Sequence, residues 1–166
     1  MDRSQRYIGS PNGIVLCIDR VEAKNQISGR FYHRYQREGT AFRNTEQMLF
    51  RFEQFFDRIQ FPYPTTSERT FQERAVEEKV SQERAEKMSD EELLRKHGEL
   101  GTFVVRVQHR ENSSWQGRIT WMEKNRTLYF RSAWELLKMI ASAVETTGEA
   151  AEEPEEKEPS WFDEEE

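Results

Sequence analysis

Two stretches of the chain alternate apolar and polar residues with the period of β-strands, whose successive side chains point to opposite faces of a sheet. They are residues 27–34 and 115–121. Further apolar runs are separated by clusters of turn-forming residues, at positions 23–26, 37–40, 111–114 and 124–125. The pattern predicts three strands in each half of the chain.

Each set of predicted strands is followed by apolar residues with the spacing of one face of an α-helix. These positions are Met48, Leu49, Phe52, Phe55, Phe56 and Ile59 in the first half, and Leu136, Leu137, Ile140 and Val144 in the second. Asn44 with Gln47, and Ser132 with Glu135, have the spacing of a helix cap residue and its partner. We therefore predict one amphipathic helix after each set of strands.

The two halves also match residue by residue. When Gly29 is aligned with Gly117, the residues that follow match without a gap as far as Phe42-Arg43 and Phe130-Arg131. The first strands of the two halves also align when their loops are allowed to differ by one residue. Ile14, Leu16 and Ile18 then match Phe103, Val105 and Val107. We predict an α+β fold of tandem duplicated β-β-β-α modules, each a three-stranded antiparallel sheet with one helix on its apolar face. A chance likeness between two α+β halves is the alternative.

Composition divides the chain into four segments. The first module covers residues 1–64 and ends at Phe61-Pro62-Tyr63-Pro64, because neither proline can continue a helix or donate to a sheet. Residues 65–99 are predicted to form a charged, mostly solvated helical connector, with a short helix from about Asp90 to Lys96 that follows Ser89. The second module covers residues 100–145. Because each module is small, we expect the two to pack together about a pseudo-two-fold axis, through sheet edges or helix faces.

The fourth segment, residues 146–166, is predicted to be a disordered acidic tail. The chain has a net charge of −6, and residues 145–166 alone carry 11 acidic residues against one basic residue. This segment has too little apolar surface to offset the entropy lost on folding. Trp161-Phe162 is either a short docking peptide or an incidental aromatic pair in a solubilising tail.

The sequence lacks the motifs of familiar catalytic and metal sites. Its single cysteine, Cys17, lies inside a continuous apolar strand and is expected to be a buried structural thiol. His33 and His109 fall in separate modules, so only a composite site between modules would join them. Neither a Gly-x-Ser-x-Gly elbow nor a Gly-rich phosphate loop occurs. These features disfavour an enzyme and predict no metal and no cofactor.

The apolar runs are short throughout the sequence. None approaches the roughly 18 residues that a membrane span needs, and the first residues lack the apolar stretch of a signal peptide. A single cysteine also agrees with a reducing compartment. We expect a cytoplasmic protein that makes no membrane contact.

The polar faces of the predicted sheets are rich in arginine, and residues 101–144 carry seven basic residues against three acidic ones. The face opposite the helices is predicted to present the candidate binding residues Arg30, Tyr32, Arg34, Arg106, Gln108, Arg118, Thr120, Tyr129 and Arg131. Arg110 and Gln116 are expected on the same face. Arginines interleaved with Gln, Thr and Tyr can contact phosphates and base edges together. The alternative is an ordinary solvated surface, or one covered by the other module.

Three runs of the second module carry a resemblance to a DNA-reading domain: Phe103–Val107, Trp115–Trp121 and Thr127–Ala133. Their order resembles the arm-site-binding domain of tyrosine recombinases, which has three strands, a Phe-x-[Ser/Thr] entry and a helix. The resemblance implies a sheet that reads the DNA major groove. The helix here continues as Trp134-Glu135-Leu136-Leu137, where the family has a basic pair and then Glu-Ala, so only the sheet geometry is carried over. The Trp-Gln-Gly and Phe-Arg-Ser signatures also resemble those of small bacterial proteins of unknown function.

Together these features favour a non-catalytic, cytoplasmic protein-interaction or regulatory protein whose partner is another protein. Tyr32, Tyr35 and Trp134 have the sequence context of exposed aromatics beside arginines, a composition enriched at binding surfaces. The alternative is that these aromatics belong to the core. The alternative is a nucleic-acid-binding protein that uses its Arg-rich sheet faces, for which the acidic tail competes as an autoinhibitory segment. The sequence predicts no particular oligomeric state.

Overall fold

A computed structural model describes residues 8–22, 26–63, 71, 85–111 and 114–149. The strands are β1 Ile14–Glu22, β2 Gln26–His33, β3 Gln36–Phe42, β4 Gly101–Glu111, β5 Ser114–Trp121 and β6 Arg126–Phe130. The helices of the described residues are α1 Thr45–Ile59, α2 Asp90–Leu93 and α3 Ala133–Glu149. The fold is α+β, as predicted, with the strands in one antiparallel sheet of order β3-β2-β1-β4-β5-β6.

Both halves of the chain share this one sheet. β1 pairs with β4 at its centre, with Leu16 opposite Phe103 and Ile18 opposite Gly101. The two three-stranded sheets predicted from the sequence are therefore the halves of one six-stranded sheet, because the first strands of the two halves join along their edges. Edge pairing is one of the two packing modes that the sequence predicted, and it leaves β3 and β6 as the outer strands of the sheet.

α1 and α3 cover one face of the sheet. Their buried apolar positions are Met48, Phe52, Phe55, Phe56 and Ile59 in α1, and Leu136, Ile140, Ala143 and Val144 in α3. Both helices begin as predicted. Asn44 Oδ1 accepts a hydrogen bond from the Gln47 N–H at 2.8 Å, and Ser132 Oγ accepts one from the Glu135 N–H at 3.0 Å.

α3 runs past the boundary that the sequence analysis set between the second module and the tail. The predicted acidic tail begins at residue 146, but α3 continues to Glu149. The reason is that no proline interrupts the chain before Pro154, so the helical turns can continue. The predictions for residues 150–166, including Trp161 and Phe162, lie outside the described residues.

The centre of the opposite sheet face is covered by Met88 and Leu93 of the predicted connector. These two side chains are buried and pack in one cluster with Val15, Cys17 and Val104. The prediction of a mostly solvated connector is therefore wrong at these positions. The physical reason is that β1 and β4 carry apolar side chains on both faces, so each face needs a cover.

The short helix α2 forms within this covering segment. Ser89 Oγ accepts a hydrogen bond from the Glu92 N–H at 3.2 Å, as the capping pattern predicted. α2 ends at Leu93 and not at Lys96. Apart from Phe71, connector residues 65–84 lie outside the described residues.

A β-bulge changes the direction of the side chains along β4. The pairing with β5 shifts by one residue after Val107 opposite Gly117, which leaves Gln108 as an extra residue in β4. A bulge of this kind re-aims the side chains that follow it. The sequence predicted Arg110 on the same face as Arg106, but Arg110 lies on the face that α1 covers.

Arg110 joins β4 of the second half to α1 of the first half. Its Nε donates to the backbone oxygen of Pro62 at 2.6 Å, and its Nη1 lies 2.8 Å from Glu53 Oε2 and 2.7 Å from Asp57 Oδ1. Trp115 Nε1 donates to the other oxygen of Glu53 at 2.6 Å. The Arg110 side chain is only 4% exposed, so this cluster is part of the contact between the halves.

Replacing Arg110 with methionine is expected to destabilise the protein by about 2 kcal/mol. Removing one partner of a fully buried ion pair costs about 3–5 kcal/mol, but the carboxylates of Glu53 and Asp57 are partly exposed and can regain water. Urea unfolding followed by circular dichroism measures the change. Asp57→Asn is the matched control and should cost less than about 1 kcal/mol, since that carboxylate is the more exposed of the two. An Arg110→Met variant as stable as the parent contradicts this role.

Candidate functional site

In the first half, the candidate arginines already contact residues of the same chain. Arg30 pairs with Asp19 and donates from Nε to the Tyr32 hydroxyl at 2.7 Å. Arg34 lies 3.2 Å from a carboxylate oxygen of Asp90. Both cations are therefore compensated by carboxylates, and this half of the face offers little net charge to a phosphate group.

In the second half, two of the candidate residues are buried. Arg106 donates from Nε to the backbone oxygen of Ile8 and from Nη1 to the Thr120 hydroxyl at 3.2 Å. Burial lowers the pKa of the Arg106 guanidinium, and the nearby charge of Arg118 lowers it further. The sequence placed Arg106 and Thr120 on an open face, but both are buried, and the backbone at Ile8 lies against Arg106.

The remaining candidates are at least partly accessible, and we call this set of residues the arginine patch: Gln108, Arg118, Tyr129 and Arg131. Tyr129 lies opposite Arg118 across β5 and β6 and is 68% exposed. The buried Nε of Arg118 has no hydrogen-bond partner among the described residues. Arg131 pairs with Glu135 at 3.0 Å. Strong DNA binders make about 6 to 10 phosphate contacts, so the patch alone is small for that role.

The cysteine and histidine side chains that the sequence analysis considered for catalysis or metal binding differ in burial. Cys17 is buried, as predicted, and burial raises the pKa of its thiol to about 11, which keeps it protonated at neutral pH. His33 is buried and stacks on Phe55, with 4.0 Å between the ring centroids, whereas His109 is exposed. Within the described part of the chain, no group of three or more His, Cys, Asp and Glu side chains is placed to hold a metal ion.

A groove of about 570 Å³ lies between α1 and α3, and the sequence did not predict it. Its apolar lining comes from Ile27, Leu49, Leu137 and Ala141. Leu49 and Leu137 were predicted to be core residues, but both are only partly buried. Each leucine lies at the edge of the apolar face of its helix, on the side towards the other helix. The two helices do not close over these edges, and the space between them is the groove.

One exposed aromatic residue lines this groove. Trp134 lines it and is 66% exposed, with Lys138 Nζ 5.6 Å from its ring centroid. Phe50, which follows the groove residue Leu49, is 70% exposed. Large aromatics beside an apolar groove are typical of protein-binding surfaces, because tryptophan is the residue most enriched among interface hot spots. Trp134 is the one part of this site that the sequence had picked out.

No family model, no curated protein and no solved structure matches the chain. The resemblance of the second half to the arm-site-binding domain stays a prediction. Among the described helices, none has the combined length and apolar character required to cross a membrane. Function is therefore inferred from the groove and the arginine patch.

Proposed function

We propose that this is a non-catalytic protein-interaction protein, and that the groove between α1 and α3 receives an apolar segment of a partner protein. The observation that carries the proposal is Trp134, a mostly exposed tryptophan on an apolar groove. The groove volume of about 570 Å³ is within the range of ligand pockets, about 300–1,000 Å³. An aliphatic or aromatic anchor of the partner would bury its surface against Leu49 and Leu137 and gain about 25 cal/mol per Å² of apolar area.

We also propose that the two halves are tandem copies of one β-β-β-α module. Gly29 lies opposite Phe42 in the first half, and Gly117 lies opposite Phe130 in the second. Each glycine also lies beside a bulge in the neighbouring central strand. A Cβ atom at either glycine would lie 2.0 Å from a backbone carbonyl oxygen of that strand. The same local constraint at matched positions supports a common origin.

The hydrogen bonds before the two helices repeat as well. The Arg43 N–H donates to Gln47 Oε1 at 2.7 Å, and the Arg131 N–H donates to Glu135 Oε1 at 3.1 Å. In the centre of the sheet, Val15 lies opposite Val104, which is the residue that the sequence repeat aligns with it. Such pairing is expected when a strand meets its own copy across a two-fold axis.

Duplication and the proposed function are connected at the groove. Leu49 and Leu137 are matched positions of the repeat, and they line the groove from opposite helices. The groove is therefore a feature of the joined halves, since one half alone supplies only one of its walls.

Replacing Trp134 with alanine is expected to weaken partner binding by about 30-fold, the effect of a hot spot worth about 2 kcal/mol. The side chain is mostly exposed, so the fold should be retained. Partners captured from a native lysate on the full chain are identified by mass spectrometry, and their affinities for the parent and the variants are then measured directly. Tyr129→Ala is the matched control, because Tyr129 is an equally exposed aromatic in the arginine patch.

The control variant also separates the two functional classes. The proposed function requires that Trp134→Ala reduces binding and that Tyr129→Ala leaves it unchanged. Binding that survives in Trp134→Ala contradicts the proposal. Nucleic acid captured through Tyr129 and Arg118 would instead favour the nucleic-acid alternative, which rests on the accessible side chains of the arginine patch.

A further inference from the structure

We propose that Trp161 and Phe162 of the same chain occupy the groove between α1 and α3, so that the chain's own end competes with the partner. The inference rests on the proposed function, because it assigns a regulatory occupant to the same groove. It is carried by the position of α3, by the length of chain that follows it, and by the chemistry of the aromatic pair.

α3 both lines the groove and leads into the final segment of the chain. The helix contributes Trp134, Leu137, Lys138 and Ala141 to the groove and ends at Glu149. Lys138 lies 11 residues before Glu149, and a helix rises 1.5 Å per residue, so the two are about 17 Å apart. The final segment therefore starts close to the groove.

The chain between α3 and the aromatic pair has a suitable length. Trp161 follows Glu149 by 12 residues. A flexible linker of this length has an average end-to-end distance of about 20 Å, and glutamates and prolines lengthen it towards a maximum near 40 Å. The distance of about 17 Å is therefore within reach of the aromatic pair, and the effective concentration for short linkers is about 1 mM.

The aromatic pair is the only part of this segment that matches the groove chemically. Trp161 and Phe162 are the only aromatic residues after Trp134 in the sequence. Their rings can pack on the leucines of the groove and against the exposed face of Trp134. The groove presents Lys138 but also Glu46, so the carboxylates of Asp163–Glu166 gain little there, and the aromatic contacts must supply the affinity.

A weak contact is sufficient for regulation under these conditions. At an effective concentration of about 1 mM, an intrinsic dissociation constant of about 0.1 mM leaves the groove about 90% occupied. A partner must then displace the segment, and its apparent affinity falls about tenfold. Any event that holds the end of the chain elsewhere would restore full affinity.

The test uses the full chain labelled with 5-fluorotryptophan and observed by ¹⁹F NMR. The protein has four tryptophans, and single replacements assign their signals. We expect the Trp134 signal of the Phe162→Ala and Trp161→Ala variants to shift and to become more sensitive to the change from H₂O to D₂O. Trp115 is buried in the core and serves as the internal control, and Pro154→Ala, in the same segment, should leave Trp134 unchanged.

A peptide of residues 155–166, added at millimolar concentration to the Trp161→Ala variant, should return the Trp134 signal towards that of the parent. A Trp134 signal that is the same in the parent and in both variants overturns the inference. A signal that changes on about tenfold dilution of the parent also overturns it, because docking would then be between chains.

The two proposals fail in distinguishable ways. One outcome is a Trp134 signal that is the same in the parent and in the Trp161→Ala and Phe162→Ala variants while Trp134→Ala still reduces partner binding. In that case the autoinhibitory contact is wrong and the proposed function stands. If Trp134→Ala keeps the partner while the peptide still moves the Trp134 signal, the groove binds the chain end and the proposed function is wrong.

Discussion

Replacing Gly117 with alanine is expected to destabilise the protein by about 3 kcal/mol, and replacing Gly29 by a similar amount. A Cβ atom at Gly117 would lie 2.0 Å from the backbone oxygen of Arg106, and at Gly29 it would lie 2.0 Å from that of Cys17. Both carbonyls belong to central strands of the sheet, so relief requires movement of the backbone and not only of a side chain. Overpacking of this kind costs about 1–3 kcal/mol or more. Urea unfolding followed by circular dichroism measures both variants.

Gly101→Ala is the matched control for these two substitutions. A Cβ atom at Gly101 would meet only the ring of Phe103, at 3.2 Å, and a methyl group of Val144, at 3.6 Å. Side chains can yield at these distances, so the expected cost is about 1 kcal/mol or less. Equal stability of all three variants would contradict the close strand contacts at Gly29 and Gly117.

Lowering the pH from 6.5 to 4 is expected to remove about 3 kcal/mol of stability through His33 alone. Burial lowers the pKa of His33 to about 4, and the charge of Arg58 contributes, whereas an unfolded histidine titrates near 6.5. Between these values the unfolded chain binds a proton that the folded protein excludes. Stability therefore falls by about 1.4 kcal/mol per pH unit in this window and is unaffected by His33 above it.

The variant His33→Phe isolates this contribution. Phenylalanine can keep the stack on Phe55 but cannot titrate, although the hydrogen bond from the Tyr35 N–H to His33 Nδ1, at 3.2 Å, is lost. The free energy of unfolding of both proteins is measured by urea titration from pH 7 to pH 4. The parent should lose stability relative to the variant as the pH falls below 6.5. Parallel curves would show that the pKa of His33 is the same in the folded and unfolded protein, which would contradict this prediction.

Local patterns were sufficient to predict the elements but not their assembly. The period of the strands, the helix stripes and the caps at Asn44 and Ser132 each depend on neighbours in the sequence, and the structure has them where they were predicted. The pairing of β1 with β4 joins residues far apart in the chain. The sequence allowed both edge pairing and helix packing, because each would bury apolar surface.

A bulge explains why Arg110 does not lie on the face where the sequence placed it. One extra residue at Gln108 turns Arg110 from the expected face into the contact between the halves. The alternation of apolar and polar residues does not reveal an inserted residue. Gly117, in the neighbouring strand, could have indicated it, because a glycine inside a strand often marks a bulge. The burial of Arg106 had another cause, since the run from Ile14 to Ile18 is apolar without alternation and needs a cover on both faces.

The groove was missed because it depends on how two helices are spaced. Leu49 and Leu137 lie at the flank of each apolar stripe, where the pattern is the same for a core residue and for a groove residue. Only the distance between α1 and α3 decides between the two, and that distance follows from the pairing of β1 with β4. The exposure of Trp134 was the one feature of the site that the sequence suggested.

Photo-crosslinking from the groove tests the central claim most directly. p-Benzoylphenylalanine is placed at Lys138, an exposed residue of the groove lining, or at Tyr129 in the arginine patch. If the groove is the binding surface, we expect crosslinks from position 138, to a partner protein or to the end of the chain, and none from position 129. Crosslinks from position 129 together with none from position 138 would contradict this claim.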